Sequence, residues 1–258
     1  MMDAPLQIGI LKTDTVRDEF RDRHGDYPAM FRALLLGARG LEVGGRPLQF
    51  RDYDVQRGEY PDAAGDCDGY VITGSRDSVY DDVPWIHALE DYVRVLHAGR
   101  HKLVGICFGH QLVAQALEGE TRAAAGGWAV GVHRSRLLRE TPWMCGDPGD
   151  GEFALLSSHK DQVTRLPDGA ELLATNDFCP YAAYTIGDHI LCIQGHPEFV
   201  PDYSRALMDF RRELLGEVTW ERGVRSLQEP IHAGLVGRWM LSFLEWNAHD
   251  DAHRNRAP

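Results

Sequence analysis

Basic residues are scarce in this sequence relative to acidic ones. Its 258 residues include 27 lysines and arginines against 39 aspartates and glutamates, so the formal net charge is −12 at pH 7. Binding to a nucleic acid backbone or to an anionic membrane surface depends on clusters of positive charge. The composition therefore argues against nucleic acid and membrane partners.

Cysteine is also sparse, and no Cys-x-x-Cys pair occurs. The five cysteines are Cys67, Cys107, Cys145, Cys179 and Cys192. An odd number of widely spaced cysteines does not describe a disulfide framework, and the spacing does not match a zinc site. No His-Glu-x-x-His motif is present either. We therefore expect reduced thiols, no bound metal and no organic cofactor.

Long hydrophobic runs are missing. No stretch of 18 apolar residues occurs, so no transmembrane helix is predicted. Residues 1–5 carry no basic segment before the first apolar run, and no signal peptide is expected. With 43% hydrophobic and 26% charged residues, the composition is that of a globular protein. We expect a soluble, cytoplasmic protein.

Short apolar runs alternate with helical patterns in the first half of the chain. Strands are predicted at Leu6–Leu11, Pro47–Tyr53, Gly69–Thr73 and Lys102–Ile106, and helices at Tyr27–Leu36, from Pro84 onwards and at Phe108–Leu117. This order predicts an α/β fold of three layers, in which helices cover both faces of a mostly parallel central sheet.

The second half has a different pattern, with more strands than helices. Strands are predicted at Val130–Leu138, Glu152–Leu156, Ala170–Thr175, Tyr181–Ile186 and Ile190–Ile193, and helices near Asp202–Leu215 and Ile231–Trp246. These strands are expected to extend the edge of the sheet, some of them antiparallel. Arg139–Gly151 is predicted to be a loop and is a candidate lid, and the polar tail His249–Pro258 is expected to be frayed.

No repeat or linker composition divides the chain, so residues 1–258 are predicted to form one domain. Its core would span about residues 6–200, and a helical extension would follow at about residues 201–248. The last helix carries a broad apolar face. We expect this face to pack on the chain's own sheet, and a dimer or partner surface is the alternative.

The most informative segment is Leu103–Gln111, where a buried strand is predicted to lead through Gly-Ile-Cys-Phe-Gly into a helix. This is the pattern of a nucleophile elbow, with Cys107 where serine hydrolases carry serine. Glycines at positions 105 and 109 avoid collisions in the tight turn, and the helix N-terminus favours a thiolate. The pattern predicts a nucleophilic Cys107. The alternative is a core cysteine in a glycine-rich turn.

A second segment supplies a base for such a nucleophile. At Ile193–Phe199 an apolar strand ends in Gln-Gly-His-Pro-Glu. Residues two apart in an extended segment point the same way, so Glu198 can reach the ring of His196. Pro197 favours an extended backbone at His196. A thiolate needs a base, and the base needs an orienting group, so the two segments together predict a Cys-His-Glu triad.

These paired motifs resemble the class I glutamine amidotransferases, above all the glutaminase half of GMP synthase and its stand-alone relatives. The resemblance covers about residues 6–200. It implies that Cys107 is the nucleophile, His196 the base and Glu198 the third member of a triad. It also implies cleavage of the side-chain amide of glutamine.

The resemblance further implies an oxyanion hole formed by the backbone amides of Gly74 and Phe108. It implies the following substrate-binding residues: Gln111, Ser158, His159, Lys160 and Asp161. Lys160 stands where synthase-type members carry glycine, which is similar to stand-alone members such as the plant γ-glutamyl peptidases. His159 is equally compatible with a structural role.

Four functions remain open. The first is a hydrolase that releases glutamate and ammonia or an amine from glutamine or a γ-glutamyl compound. The second is the glutaminase subunit of a two-chain, ATP-dependent synthetase, because the sequence has no recognisable nucleotide-binding loop of its own. A non-catalytic regulatory module is disfavoured because all three triad residues are present. A redox or stress protein of a related fold is disfavoured by the His-Pro-Glu ending. A homodimer is also possible.

Overall fold

One mixed β-sheet runs through the centre of the molecule. The computed structural model describes residues 4–40, 45–146 and 149–246. The strands of this sheet are β1 (Leu6–Lys12), β2 (Leu48–Asp54), β3 (Gly69–Ile72), β4 (Lys102–Ile106), β6 (Ala129–Leu137), β7 (Glu152–His159), β9 (Ala170–Thr175), β10 (Ala183–Ile186) and β11 (Ile190–Ile193). Their order is β2-β1-β3-β4-β11-β10-β9-β6-β7. Two further strands, β5 (Glu120–Ala123) and β8 (Asp161–Arg165), pair separately.

The first five strands in this order are parallel, and β10, β9, β6 and β7 continue the sheet with antiparallel pairs. Parallel strands end at the same edge of a sheet. The residues that follow β1, β3, β4 and β11 therefore lie side by side, with Ile193 in register with Ile106. The predicted α/β class and the antiparallel extension of the sheet are both confirmed.

Helices cover both faces of this sheet. They are α1 (Asp18–His24), α2 (Tyr27–Arg39), α3 (Pro84–Ala98), α4 (Phe108–Ala116), α5 (Pro201–Phe210), α6 (Arg212–Leu215), α7 (Glu217–Ser226) and α8 (Ala233–Glu245). Neighbouring strand residues point to opposite faces. Val71 and Val104 accordingly pack in the core with α2 and α8, whereas Tyr70 and Leu103 pack with α3 and α4.

The last helix belongs to the main core. Val236, Met240 and Phe243 of α8 are fully buried in one cluster with Leu35 of α2 and Ile8 of β1. The expectation that the apolar face of this helix packs on its own sheet is confirmed. Nearer the antiparallel strands, helices α5 to α7 cover β6 and β7.

Several features differ from the predicted pattern. The helix predicted at Asp202–Leu215 is two helices, α5 and α6, which are separated at Arg211. Helices α1 and α7 were not predicted, and neither were strands β5 and β8. In the loop at Arg139–Gly151, Trp143 is buried edge-on against Phe243 of α8. The tail His249–Pro258 lies outside the described residues. Within the described ranges, no helix is long and apolar enough to span a lipid bilayer.

Candidate active site

Cys107 occupies the turn between β4 and α4, at the edge where the parallel strands end. Its φ is +52° and its ψ −97°, a left-handed conformation that side chains rarely adopt. A Cβ on Gly105 would lie 2.6 Å from the carbonyl oxygen of Gly109, and a Cβ on Gly109 would lie 2.7 Å from that of Ile72. Both glycines are therefore required by close backbone contacts, as expected of a nucleophile elbow.

His196 and Glu198 follow the neighbouring strand β11 and form a buried pair. The Nδ1 atom of His196 lies 2.8 Å from Oε1 of Glu198. The backbone N–H of His196 donates to the carbonyl of Leu156 at 2.8 Å, and the ring stacks on Phe199 with 3.9 Å between centroids. These contacts fix the ring, so that Nδ1 is occupied and Nε2 remains for another partner.

Cys107 lies beside this ring, because both residues line one pocket, and a Cβ on Gly74 would lie 2.9 Å from Cε1 of His196 and 3.8 Å from Cβ of Cys107. Burial by itself lowers the pKa of His196. The charges of Cys107 and Glu198 and their hydrogen bonds more than offset this effect and raise the pKa to about 10. Cys107 and Glu198 thus both favour the protonated form of His196.

Gln194 also contacts this cluster, and it was not predicted from the sequence. The backbone N–H of Cys107 donates to the carbonyl of Ile193 at 3.0 Å, which brings Gln194 beside the cysteine. The Nε2 atom of Gln194 then donates to Sγ of Cys107 at 3.6 Å, and its Oε1 accepts from Nε2 of Gln111 at 3.1 Å. Gln111 also donates to the backbone carbonyl of Asp161 at 2.7 Å. Both N–H groups of Gln111 are thus used within the protein.

The backbone amides of Gly74 and Phe108 lie next to Cys107. Neither N–H has a hydrogen-bond partner among the described residues. The hydroxyl of Thr13 donates to the carbonyl of Gly74 at 2.9 Å and fixes this loop to the end of β1. A Cβ on Gly74 would lie 2.9 Å from Cε1 of His196, so only glycine fits here. Two free donors beside a nucleophile can stabilise an oxyanion.

A cleft opens on both sides of Cys107. On one side, the Gln111-side pocket is lined by Asp77, Gln111, Trp128, His159, Lys160 and Asp161. On the other, the His196-side pocket is lined by Tyr27, Gly74, His196, Phe199 and Leu207. Ser75, Arg76, Ser158 and Arg211 line both pockets. All five predicted substrate-binding residues thus lie in one cleft with Cys107. No described residue of Arg139–Gly151 lines either pocket, which does not favour a lid there.

The predicted substrate residues His159 and Asp161 have partners within the protein. Burial lowers the pKa of His159 to about 3, so its ring is neutral, and its Nδ1 lies 3.0 Å from the backbone carbonyl of Asp161. The Asp161 carboxylate accepts from the hydroxyls of Ser78 at 2.6 Å and Tyr80 at 2.9 Å. His159 therefore shapes the segment that carries Lys160 and Asp161.

Two arginines of the cleft were not predicted from the sequence. Arg76 forms a close ion pair with Asp14, whose Oδ2 accepts from its Nε at 2.9 Å. Arg211 donates from Nη1 to Oγ of Ser158 at 2.9 Å. In sequence, Arg211 looks like any other arginine of a polar helix, and only its position at the break between α5 and α6 brings it to the cleft.

The described part of the chain contains no group of three or more histidine, cysteine, aspartate or glutamate side chains arranged to hold a metal ion. What it does contain at the cleft is a cysteine at a helix N-terminus, a histidine paired with a carboxylate, and two free amides. Such a set of groups is suited to acyl transfer through a thioester.

Known proteins of similar sequence point to one family. The family model for glutamine amidotransferase class-I matches residues 36–212, which is more than half of the chain. The chain belongs to the class I glutamine amidotransferase family. The chain is 35% identical to γ-glutamyl peptidase 3 of Arabidopsis thaliana over 61% of its own length. The match spans 66% of that relative, just under two thirds of its length.

The chain is also similar to a GMP synthase and to a solved amidotransferase structure. A GMP synthase of Aromatoleum aromaticum is 34% identical over 50% of this chain and 25% of its own. A glutamine amidotransferase structure from Thermotoga maritima superposes with a TM-score of 0.71 at 15% identity, covering 95% of this chain and all of that one. The latter likeness shows the fold. The resemblance to synthase glutaminase domains and to plant peptidases is confirmed.

Proposed function

We propose that this amidotransferase hydrolyses the γ-amide bond of glutamine or of a γ-glutamyl compound, with Cys107 as the nucleophile. The observation that carries the proposal is the position of Cys107 beside His196, whose Nδ1 is held by Glu198. The thiolate attacks the γ-carbonyl carbon, and the resulting oxyanion accepts hydrogen bonds from the N–H groups of Gly74 and Phe108. The amide of Gln194 stabilises the thiolate before attack.

His196 then acts first as an acid and afterwards as a base. Its Nε2–H donates a proton to the departing nitrogen as the C–N bond breaks, and a γ-glutamyl thioester remains on Cys107. Acylation removes the negative charge of the sulfur, which is one of the causes that raise the pKa of His196. Burial then lowers that pKa, and the neutral ring deprotonates the water that breaks the C–S bond. Glutamate is released.

The Gln111-side pocket is proposed to hold the amino acid head of the substrate. This head carries an α-ammonium and an α-carboxylate group, and the pocket offers both charges. Asp77 and Asp161 suit the ammonium group, and Lys160, which is exposed and has no ion pair among the described residues, suits the carboxylate. Ser158 and Gln111 border the same space. A substrate without this charged head is expected to bind poorly.

The proposal is tested by measuring glutamate release from glutamine and from a panel of γ-glutamyl peptides and amides. Cys107→Ala should lower turnover at least about a thousandfold, because the thioester cannot form. Cys145→Ala is the matched control, since Cys145 lies beside α8 and lines neither pocket. Turnover that survives in Cys107→Ala would contradict the proposed nucleophile.

A glutaminase subunit of a two-chain synthetase is the second candidate, and the match to GMP synthase favours it. The same measurement separates the two. An independent hydrolase releases glutamate by itself, whereas a subunit would be silent or slow alone and would require a synthetase chain for activity. Its nitrogen product would then be ammonia, and glutamine would be preferred over every γ-glutamyl peptide.

A further inference from the structure

The cleft contains a guanidinium group that the hydrolysis of free glutamine does not require. Arg211 is held by Oγ of Ser158 at 2.9 Å, and its guanidinium carbon lies 5.3 Å from the centre of the Trp128 ring. Arg211 forms no ion pair with any carboxylate of the described residues. A half-buried arginine that is fixed in place but lacks a counter-ion is a typical site for a carboxylate ligand.

The charges that line the His196-side pocket also favour a carboxylate ligand. Its lining contains no aspartate or glutamate. The positive groups there are Arg76, Arg211 and His196, and of these Arg76 is neutralised by Asp14 and His196 by Glu198. Arg211 is therefore the positive group of this pocket that no described carboxylate neutralises. In a chain with a net charge of −12, such a group favours an anionic ligand.

The lining of this pocket is partly apolar. His196 delivers the proton to the leaving nitrogen, so the leaving group lies on the His196 side of Cys107. There the wall is formed by Tyr27, Phe199 and Leu207, which are buried and pack in one cluster. An apolar wall next to an arginine without a counter-ion is complementary to an amino acid that has an apolar side chain and a free carboxylate.

We propose that the His196-side pocket is a leaving-group subsite, in which Arg211 binds the C-terminal carboxylate of a γ-glutamyl dipeptide. The inference rests on the proposed hydrolysis and adds the substrate class to it. The α-carboxylate of the glutamyl residue is a less suitable ligand for Arg211. It is joined to an ammonium group, and the acidic residues that suit an ammonium group line the Gln111-side pocket instead.

The test compares two substrates that differ only in this carboxylate, γ-glutamyl-leucine and γ-glutamyl-leucinamide, with glutamine as a third. The wild-type enzyme should prefer the acid to its amide by about 10- to 100-fold in kcat/KM, the ratio expected for a charge-assisted hydrogen bond. Arg211→Gln should remove this preference, so that the ratio of kcat/KM for the acid to that for the amide falls to about 1. Arg225→Gln, an exposed substitution on α7 that touches neither pocket, should change nothing.

The outcomes are distinguishable. Equal hydrolysis of the acid and the amide by the wild-type enzyme would overturn the subsite while the proposed function stands, and this comparison needs no variant. A loss in Arg211→Gln that is the same for all three substrates would show a role in binding the head group or in the fold, and would also overturn it. If the wild-type enzyme releases glutamate from none of them, the proposed function fails first.

Discussion

Replacing Gly109 by alanine should both destabilise the fold and misplace Cys107. An alanine Cβ at this position would lie 2.7 Å from the carbonyl oxygen of Ile72 and 2.8 Å from its Cβ. Ile72 belongs to the central strand β3, which is paired on both sides, so it has little room to move. The N-terminus of α4 must therefore shift away from the sheet.

The expected size of the effect follows from two opposing contributions. Overpacking of a well-packed core costs about 1–3 kcal/mol. Alanine is a better helix former than glycine, which returns up to about 1 kcal/mol. With a return of about 1 kcal/mol, the net loss in the free energy of unfolding should be up to about 2 kcal/mol. Because the shift separates Cys107 from Gly74, kcat/KM should fall about a hundredfold for a displacement of about 1 Å.

Gly37→Ala is the matched control, because Gly37 lies inside α2 and a Cβ there meets nothing within 4 Å. This variant should gain about 0.5–1 kcal/mol and keep full activity. Chemical denaturation and glutamate release measure both quantities. If Gly109→Ala were as stable and as active as Gly37→Ala, the requirement for glycine at the elbow would be refuted.

Three further predictions concern titratable groups. Glu198→Gln should lower the pKa of His196, as followed by NMR, and reduce kcat/KM by about a thousandfold or more; an unchanged pKa would contradict the pairing. Cys107 should be alkylated faster than Cys192, because burial raises the pKa of the Cys192 thiol to about 12; equal rates by mass spectrometry would oppose this. Burial lowers the pKa of His110 to about 3, so unfolding takes up a proton there in acid. Stability should therefore fall between pH 7 and pH 5 by about 2 kcal/mol more than in His110→Phe, as measured by urea titration; identical slopes would argue against a neutral buried ring.

The parts of the fold that were predicted correctly are those in which a local pattern determines the structure. The bounds of β4, β9 and β11 match the apolar runs at Lys102–Ile106, Ala170–Thr175 and Ile190–Ile193. The missed helix α7 has only a short apolar stripe, in which Gly223 is buried and Trp220 and Val224 are partly buried. The helix predicted across Arg211 is interrupted there, and the periodicity of the apolar residues does not reveal this break.

The candidate site likewise contains residues that local patterns predict and residues that they do not. Cys107 and His196 were predicted because each follows an apolar strand and parallel strands end at one edge, and Glu198 because it lies two residues beyond His196. Their assembly in one buried cluster agrees with that reasoning, and their catalytic roles remain predictions. Gln194 shares a strand direction with His196, so spacing could have suggested it. Arg211 could not be found, because a helix far along the chain brings it to the cleft.

The backbone conformation at Cys107 limits which nucleophiles this site can carry. At a φ of +52°, an unbranched side chain is tolerated, but a second heavy atom on Cβ would collide with the adjacent backbone. Serine can therefore replace the cysteine without moving the turn, whereas threonine cannot. Of the two small hydroxyl side chains, only serine is therefore expected to replace Cys107 at the elbow, whether by natural drift or by directed evolution. The scaffold itself restricts the chemistry that can evolve on it.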